Sequence, residues 1–311
     1  MKKNEFFFRS SDNLTNIHVV IWEPENTVQA VVQITHGVTE HIMRYEELAN
    51  YFTNKGIAVV GIDLLGHGLS TNNGNKVMYF GGIDSWDYVI NDMKSCMNYA
   101  KEMFPNVPYI LLGFSLGSYL ARTYLIDNPD DFNASILIGT GYNSNFEIAL
   151  GLSVANKEAK KYGDDKATEK IRSLTFDTYN KHFRPNRTSY DWLCKSNEML
   201  DSYINDELRG GPMASGLFRE MLRGMKYSQE KNNITKMNKN IHILLLSGSD
   251  DAASKFGNGI KKVQNLYKKN GINNVEYKIY TGLRHDILHE DERNIVYDDI
   301  YNWISKLFLN K

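Results

Sequence analysis

The chain contains few of the residues that cross-link small proteins or bind metals. Only two of its 311 residues are cysteines, and Cys96 and Cys194 lie far apart in the sequence. Such a pair gives neither a disulfide framework nor the closely spaced ligands of a metal site. A chain of this length buries about 75% of its extended surface on folding, so it needs no covalent cross-links. We expect both cysteines to be packed thiols and predict no metal site.

The chain also has no marked excess of charge and no long apolar run. Lysine and arginine number 36, aspartate and glutamate number 37, and the formal net charge is −1. Proteins that bind nucleic acids usually carry a strong basic excess, so we predict no nucleic-acid partner. No segment approaches the roughly 20 apolar residues of a transmembrane helix. The first residues do not resemble a signal peptide, because Glu5 and Arg9 interrupt the short apolar stretch between them. We expect a soluble, cytoplasmic protein.

A strand, a tight turn and a helix are predicted around Ser115. The apolar run 109–112 leads into Gly113-Phe114-Ser115-Leu116-Gly117, and a helical pattern follows at once. In this context the pattern G-x-S-x-G indicates a nucleophile elbow. The turn strains the backbone of the serine, and a β-carbon on either glycine would clash across it. The motif taken alone is also compatible with an ordinary strand-to-helix turn, so the interpretation of Ser115 as a nucleophile depends on its partners.

Apolar runs of strand length alternate with helical patterns over most of the chain. The first two runs are joined by a polar turn and are predicted to pair antiparallel. Later runs, such as 57–63, are continuously apolar, which is typical of strands buried on both faces of a parallel sheet. The alternation predicts an α/β fold with a mostly parallel eight-stranded sheet and helices on both faces. The predicted strands are 5–9, 17–23, 30–35, 57–63, 109–112, 134–139, 241–246 and 275–280.

The alternation stops after the sixth predicted strand. The following segment has helical or irregular patterns, and Leu217, Met221 and Met225 recur at helical spacing. We predict a core over 1–142, a helical cap over 143–228 and the rest of the core over 229–311. Ligands in such sheets bind at the carboxyl ends of the strands, so the inserted segment is expected to act as a lid. Its apolar side chains either line an acyl-chain tunnel, for which methionine is well suited, or form the core of the cap.

A serine nucleophile needs a base, and the base needs an orienting acid. In doubly wound hydrolases these follow the serine in the order acid, then histidine. The acid is expected after the strand 241–246, where Asp250 and Asp251 stand together. The base is expected after the strand 275–280, where His285 is the candidate and His289, plausibly on a helix, the weaker alternative. We choose Asp251 and keep Asp250 as the alternative, and one of the two is expected to cap the following helix or turn.

An oxyanion hole is also required, and it is built from backbone N–H groups. One predicted donor is the residue after the nucleophile, Leu116. The other is expected in the loop after the third strand, where Gly37 lets the backbone approach a substrate closely. We predict that the N–H of Val38 is this second donor.

With these residues placed, the chain resembles the α/β-hydrolase superfamily. Within it, the chain is similar to the monoacylglycerol lipase and lysophospholipase-like group, often classed with the S33 serine aminopeptidases. The resemblance covers essentially the whole chain, including a cap-like segment from Asn180 to Asp206. Five segments carry the group's motifs H-G-x-x-E-H, D-x-x-G-H-G-x-S, G-x-S-x-G, G-x-x-D and G-x-x-H: His36–His41, Asp63–Ser70, Gly113–Gly117, Gly248–Asp251 and Gly282–His285.

The resemblance implies a hydrolase with an α/β-hydrolase fold, and it supports Asp251 over Asp250. It implies structural roles for Asp63 and His67, in the turn after the fourth strand. Two positions depart from the group. Phe114 stands where the group has a histidine, and Ala252 follows the acid in place of a proline.

The expected reaction is ester hydrolysis through an acyl-serine, which needs no cofactor. The resemblance implies monoacylglycerols or lysophospholipids as substrates, and a short-chain carboxylesterase of broad specificity is the main alternative. An aminopeptidase would need a carboxylate for the substrate's ammonium group, for which Glu198, Asp201 and Asp206 in the cap are available. Two other classes stay open: a ligand-binding homologue without turnover, and a protein-interaction module with a helical arm. The oligomeric state cannot be derived from the sequence.

Overall fold

A single eight-stranded sheet forms the centre of the protein. The computed structural model describes residues 1–71 and 78–310. The strand order is β1-β2-β4-β3-β5-β6-β7-β8. Strand β2 pairs antiparallel with both β1 and β4, and every other neighbouring pair is parallel, as predicted. The strands are β1 (Lys2–Arg9), β2 (Asn16–Glu23), β3 (Ala30–Thr35), β4 (Ile57–Ile62), β5 (Tyr109–Phe114), β6 (Ala134–Ile138), β7 (His242–Gly248) and β8 (Val275–Tyr280).

Helices cover both faces of this sheet, which confirms the predicted α/β fold. The α-helices are α1 (Glu46–Thr53), α2 (Ser85–Met103), α3 (Leu116–Asp127), α4 (Asn145–Tyr162), α5 (Glu169–Leu174), α6 (Phe176–Asn180), α7 (Asn197–Asn205), α8 (Ser215–Gln229), α9 (Lys231–Ile234), α10 (Asn258–Lys269) and α11 (Arg293–Ile304). Every residue of β3, β4, β5 and β6 is buried, as their uninterrupted apolar sequences predict. Helices α2, α3 and α10 pack on one face, and α1 and α11 pack on the other.

The segment between β6 and β7 is helical, as predicted. It contains α4 to α9, and within this segment the only β pairing is the isolated bridges that Met213 and Ala214 make. Helix α4 begins at a capping box, in which Ser144 and Glu147 each bond the other's backbone N–H. The predicted helix through Leu217, Met221 and Met225 is α8, which packs against α3 and α4. None of the helices in the described residues is both long and apolar enough to cross a bilayer.

The two ends of the helical segment, where the chain leaves the core and returns to it, lie next to each other. The side chain of Gln229 accepts from the N–H of Asn143 at 2.9 Å and donates to its carbonyl at 2.9 Å. The buried guanidinium of Arg122 on α3 donates to the carbonyl of Gly141 at 2.8 Å and to that of Ser228 at 3.3 Å. These contacts join the two ends of the helical segment, close to the limits 143 and 228 that we assign to the cap.

Both cysteines are buried and unpaired, as expected from their sequence context. Cys96 lies on α2, and burial raises the pKa of its thiol to about 12. Cys194 lies in the helical segment, and burial raises its thiol pKa as well. A thiol with a raised pKa forms little thiolate and is a poor nucleophile. Neither cysteine is therefore suited to covalent chemistry.

Replacement of Gln229 with leucine is expected to destabilise the protein. The backbone N–H and C=O of Asn143 would lose their partners in a partly buried place, which costs about 1–3 kcal/mol. The free energy of unfolding from urea denaturation measures this. Gln264→Leu is the matched control, since that glutamine is half-buried and makes one side-chain hydrogen bond, to the carbonyl of Val275. A loss for Gln229→Leu no greater than that for the control would contradict the role of Gln229 at this junction.

Candidate active site

Ser115 stands at the tip of a strained turn between β5 and α3. Its φ is 50° and its ψ is −114°, a conformation that non-glycine residues rarely adopt. An added β-carbon on Gly113 would lie 2.5 Å from the carbonyl oxygen of Gly117, and one on Gly117 would lie 2.0 Å from that of Thr35. These close approaches let β3, β5 and α3 meet at the serine. The strained elbow expected from the sequence is present.

His285 contacts Ser115 from the loop after β8. Its Nε2 lies 2.9 Å from the Oγ of Ser115, and its Nδ1 lies 2.8 Å from Oδ1 of Asp251. Because a carboxylate only accepts, Nδ1 carries the proton, and the neutral ring can accept the hydroxyl proton of Ser115 at Nε2. The three side chains come from the ends of β5, β7 and β8, and the parallel pairing of these strands with their neighbours brings the ends together.

Asp251, and not Asp250, faces His285. Asp251 is fully buried, whereas Asp250 is exposed and accepts a hydrogen bond from the hydroxyl of Ser249. Oδ1 of Asp251 also accepts from the backbone N–H groups of Ala253 and Ser254, at 2.9 and 3.1 Å. One carboxylate thus orients the histidine and closes the turn after β7.

The charges of this pair are set by burial and by mutual attraction. Burial lowers the pKa of His285, but the Asp251 carboxylate more than offsets this, so the pKa lies above the ordinary histidine value. Burial raises the pKa of Asp251. His285 and the hydrogen bonds from Ser254 lower this pKa by more than burial raises it, so it lies below its usual value. Asp251 therefore stays ionised at neutral pH, and an imidazolium at His285 is stabilised.

The loop after β3 is held rigidly next to the serine. The N–H of Gly37 donates to Glu40, and its carbonyl accepts from Nδ1 of His36 at 2.7 Å. Burial, with a smaller contribution from His67, lowers the pKa of His36 to about 3, so its ring is neutral. Its Nε2 accepts from the N–H of Leu64, which leaves Nδ1 as the protonated atom. Both polar backbone groups of Gly37 are therefore fixed.

The N–H groups of Val38 and Leu116 are free to bind a substrate. Both residues line the cavity above Ser115, and within residues 1–71 and 78–310 no group accepts from either N–H. Thr39 has a φ of 62°, which is unusual for a β-branched residue and shows that this loop is strained. Leu116 is the first residue of α3, where the helix dipole favours negative charge. The two N–H groups have the chemistry of an oxyanion hole.

A buried polar network supports this loop from below. Arg44 donates to Glu40 at 2.8 Å and to Asp286 at 3.3 Å, and the hydroxyl of Tyr45 donates to Glu40 at 2.9 Å. His289 belongs to the same network, because its Nδ1 lies 2.9 Å from Asp286 and its Nε2 donates to the carbonyl of Arg44. The expectation that His289 lies on a helix is wrong, since it occupies a turn between β8 and α11. Its contacts point it away from Ser115.

Asp63 and His67 have the structural roles that the resemblance implied. The buried carboxylate of Asp63 accepts from Nδ1 of His18 and from the N–H groups of Ile42 and Leu69. His67 is buried with Nδ1 3.1 Å from the carbonyl of Leu65, and burial lowers its pKa to about 4. These contacts hold the loop after β4 without touching Ser115.

The helical segment closes over the serine. The cavity above Ser115 has a volume of about 60 Å³. Trp192 lies against the ring of His285, with centroids 5.1 Å apart, and stacks on Phe176. From the core, Val38, Ser115, Leu116, Tyr119, Gly139, Ala253 and His285 line the cavity, and Asn143, Thr175, Phe176, Tyr179, Trp192, Met213, Met221 and Met225 line it from the helical segment.

Several of these contacts were not predicted from the sequence. The ring centroids of Phe114 and His285 lie 5.0 Å apart. A β-carbon on Gly139 would lie 2.8 Å from Cε1 of His285. Glu40 stands in the H-G-x-x-E-H motif, so a signal for its role was present. Trp192 is one of the apolar residues of the predicted cap, for which lining of the site was one of two expectations, but its contact with His285 was not predicted. No sequence signal indicates that Tyr179 reaches the site.

A family model described as serine aminopeptidase S33 matches residues 26–292. The match spans both halves of the sheet and the helical segment between them. The chain belongs to this family of α/β-hydrolases. The resemblance derived from the five sequence motifs is thereby confirmed.

Named relatives of this α/β-hydrolase include lipases. The chain is 23% identical over 286 residues to the monoacylglycerol lipase of Mycolicibacterium smegmatis, with 91% of each chain covered. It is 29% identical over 296 residues to the monoglyceride lipase homolog of Monkeypox virus, covering 94% of this chain and 96% of the relative. A thermostable carboxyl esterase from Bacillus coagulans has the same fold, with a TM-score of 0.89 and 23% identity over 98% of this chain and 99% of the esterase.

Asp251→Asn is expected to lower kcat for a carboxylic ester by about 10³–10⁴-fold, because the amide no longer holds His285 in the tautomer that accepts a proton at Nε2. Asp250→Asn is the matched control, since it makes the same change at the adjacent, exposed carboxylate. We expect the control to retain activity within about twofold. Steady-state kinetics on both variants measures the difference. Similar losses in the two variants would contradict the assignment of Asp251.

The rate of ester hydrolysis is expected to rise with pH as His285 loses its proton. Because the pKa of His285 is raised, half-maximal kcat/KM should fall above about pH 6.5, the ordinary histidine value. In the residual activity of Asp251→Asn this midpoint should move to lower pH, because burial then acts without the opposing carboxylate. The measurement is a pH profile of kcat/KM with an ester that does not ionise. A wild-type midpoint below pH 6 would contradict this electrostatic argument.

Proposed function

We propose that the chain hydrolyses carboxylic esters through an acyl-serine intermediate, with Ser115 as nucleophile, His285 as general base and Asp251 as the orienting acid. The observation that carries this proposal is the continuous contact from Ser115 Oγ through the imidazole to Asp251, with spacings of 2.9 and 2.8 Å. It lies in a cavity that two free backbone N–H groups also line. A binding protein without turnover would not need this arrangement.

In the first step Ser115 Oγ attacks the ester carbonyl while its proton moves to Nε2 of His285. The carbonyl oxygen becomes an oxyanion that the N–H groups of Val38 and Leu116 bind, and each such donor stabilises the transition state by roughly 3 kcal/mol. The tetrahedral intermediate collapses, the imidazolium returns the proton to the leaving alcohol, and the acyl group stays on Ser115. Asp251 stabilises the imidazolium throughout.

In the second step a water molecule repeats the sequence. His285 takes a proton from the water as it attacks the acyl-serine, and the same two N–H groups hold the second oxyanion. The proton then returns to Ser115 Oγ as the acid product leaves. No metal or organic cofactor takes part in this scheme.

The proposed substrates are monoacylglycerols or lysophospholipids. Met213, Met221 and Met225 line the cavity, and flexible thioether side chains can move aside for an acyl chain. The names of the two curated relatives support glycerol esters. An aminopeptidase is less compatible with the site, because no carboxylate is among the residues that line the cavity in the described part of the chain. Of the acids considered for that role, Asp206 pairs with His41, Asp201 pairs with Arg187, and Glu198 is exposed in the first turn of α7.

A short-chain carboxylesterase is the second candidate, and the size of the cavity favours it. A volume of about 60 Å³ is far below the several hundred Å³ of a site that encloses a larger ligand. A long acyl chain would enter only if methionine or aromatic side chains of the helical segment moved. The two candidate functions therefore differ in whether side chains of the helical segment move to admit a long acyl chain.

A series of nitrophenyl esters from acetate to palmitate separates these candidates. If the methionines open onto a tunnel, we expect kcat/KM to rise with chain length by tenfold or more between butyrate and decanoate, since each buried CH₂ contributes about 0.8 kcal/mol. Activity confined to acetate and butyrate would contradict the lipid-ester proposal and favour the short-chain esterase.

Ser115→Ala is the control for the mechanism. It should abolish hydrolysis of every ester in the series and also covalent labelling by a fluorophosphonate probe. The wild-type chain should label at Ser115. Unlabelled wild-type protein, or full activity in Ser115→Ala, would contradict the acyl-serine mechanism for both candidates.

A further inference from the structure

A second cavity lies beside the one above Ser115. Its volume is about 140 Å³, and Thr175, Phe176 and Met213 line both cavities. Thr39, which also lines the second cavity, follows Val38 directly in the chain. The two cavities are therefore adjacent, with these shared side chains between them. Nothing in the proposed ester cleavage explains the residues found there.

Arg209 is the most unusual residue of this second cavity. Its guanidinium lies between two tyrosine rings, 4.9 Å from the centroid of Tyr190 and 5.2 Å from that of Tyr203. Its Nε atom is buried and makes no hydrogen bond with any residue that the structure describes. Within residues 1–71 and 78–310, no carboxylate lies within 4.0 Å of its nitrogens. Arginine is charged at any physiological pH. The hydrogen-bond partners of this guanidinium are the side chains of Tyr190 and Tyr203, so within the described part of the chain the cation has no carboxylate partner.

Arg172 lines the same cavity but, unlike Arg209, forms ion pairs with carboxylates. It pairs with Glu169 at 2.8 Å and with Asp177 at 3.3 Å, and it is largely exposed to solvent. Its charge is therefore compensated and screened. Of the two arginines, Arg209 alone offers a fork of N–H donors that is already partly desolvated and not engaged by an acid.

The position of Arg209 is fixed by contacts that connect it to the oxyanion loop. The hydroxyl of Tyr203 lies 2.7 Å from Oγ1 of Thr39. The Tyr203 ring also faces the guanidinium of Arg44, 4.8 Å away, which belongs to the network below that loop. Because its planar group lies against rings that are themselves anchored, Arg209 loses little conformational freedom when it binds an anion.

The two cavities differ in the charges that line them: among the described residues no lysine or arginine lines the cavity at the serine, whereas Arg172 and Arg209 line the second one. Methionines 221 and 225 line only the cavity at the serine, whereas Thr39, Thr168, Arg172, Tyr190 and Arg209 line only the second one. An acyl chain is favoured beside the methionines, since polar groups would lose hydration there. The alcohol part of the ester then extends toward Arg209.

We propose that Arg209 binds a phosphate group on the leaving alcohol, so that the enzyme prefers monoacyl glycerophosphates over uncharged monoacylglycerols. A phosphate oxygen pair matches the fork of the guanidinium and would supply the anionic partner that it lacks. The inference rests on the proposed function, because it assumes ester cleavage at Ser115. It adds a headgroup selectivity that the catalytic residues do not determine.

The test compares 1-oleoylglycerol 3-phosphate with 1-oleoylglycerol in the wild type and in Arg209→Gln. We expect kcat/KM for the phosphate ester to fall by about 10- to 100-fold in the variant, while that for the uncharged ester changes by less than threefold. Arg172→Gln, a change to the paired arginine of the same cavity, should leave both values within about twofold. Arg209→Lys keeps the charge but loses the fork, so it should restore only part of the preference.

Equal losses on both substrates in Arg209→Gln would overturn the proposal and show that Arg209 only supports the fold of the helical segment. Unchanged values on both would overturn it as well. A binding measurement separates this failure from that of the proposed function. Calorimetric titration of glycerol 3-phosphate into Ser115→Ala should show binding. The same titration into Ser115→Ala that also carries Arg209→Gln should show none, and neither protein needs to be catalytically active for this measurement. Equal binding to both proteins, or to neither, would contradict a phosphate site at Arg209.

Discussion

The parallel pairing of β3, β5, β6, β7 and β8 is the constraint on which the candidate site depends. Parallel strands end at the same edge of a sheet, so the residues that follow β3, β5, β7 and β8 meet although they are far apart in the chain. Ser115, Asp251 and His285 each stand a few residues beyond such an end. The backbone hydrogen bonds of the sheet therefore hold these three residues close enough for their side chains to contact one another directly.

Around this edge, buried polar groups hold the loops that the sheet cannot hold. Glu40 and His36 bind the two backbone groups of Gly37, and Arg44 connects Glu40 with Asp286, the residue after His285. One network thus supports both the oxyanion loop and the loop of the base. Such groups are stable in the interior because their donors and acceptors are almost all satisfied by one another. We expect a structural change in one of these two loops to alter the position of the other through this network.

The helical segment surrounds the candidate site and is attached to the core both by apolar packing of α8 on α2 and α3 and by polar contacts. Gln229 and Arg122 join its two ends, His41 pairs with Asp206, and Thr39 with Tyr203. Trp192 covers His285 and helps keep water away from the imidazole. The core thus carries the proposed chemistry, and the segment between β6 and β7 decides what reaches it.

Local pattern in the sequence was enough to predict all eight strands, the helix α8 and the strained turn at Ser115, because these depend on neighbours within a few residues. The order of acid and base was taken from the order known for doubly wound hydrolases. The resemblance supported Asp251 over Asp250, and the buried contact of Asp251 with His285 agrees with that choice. Other features depend on side chains that meet only after the chain has folded. These are the loop position of His289, the contact of Trp192 with His285, the hydrogen bond of Gly37 with Glu40, and the placement of the Arg209 guanidinium between two tyrosine rings. Long-range packing determines them, and no periodicity in the sequence records which distant residues will be neighbours.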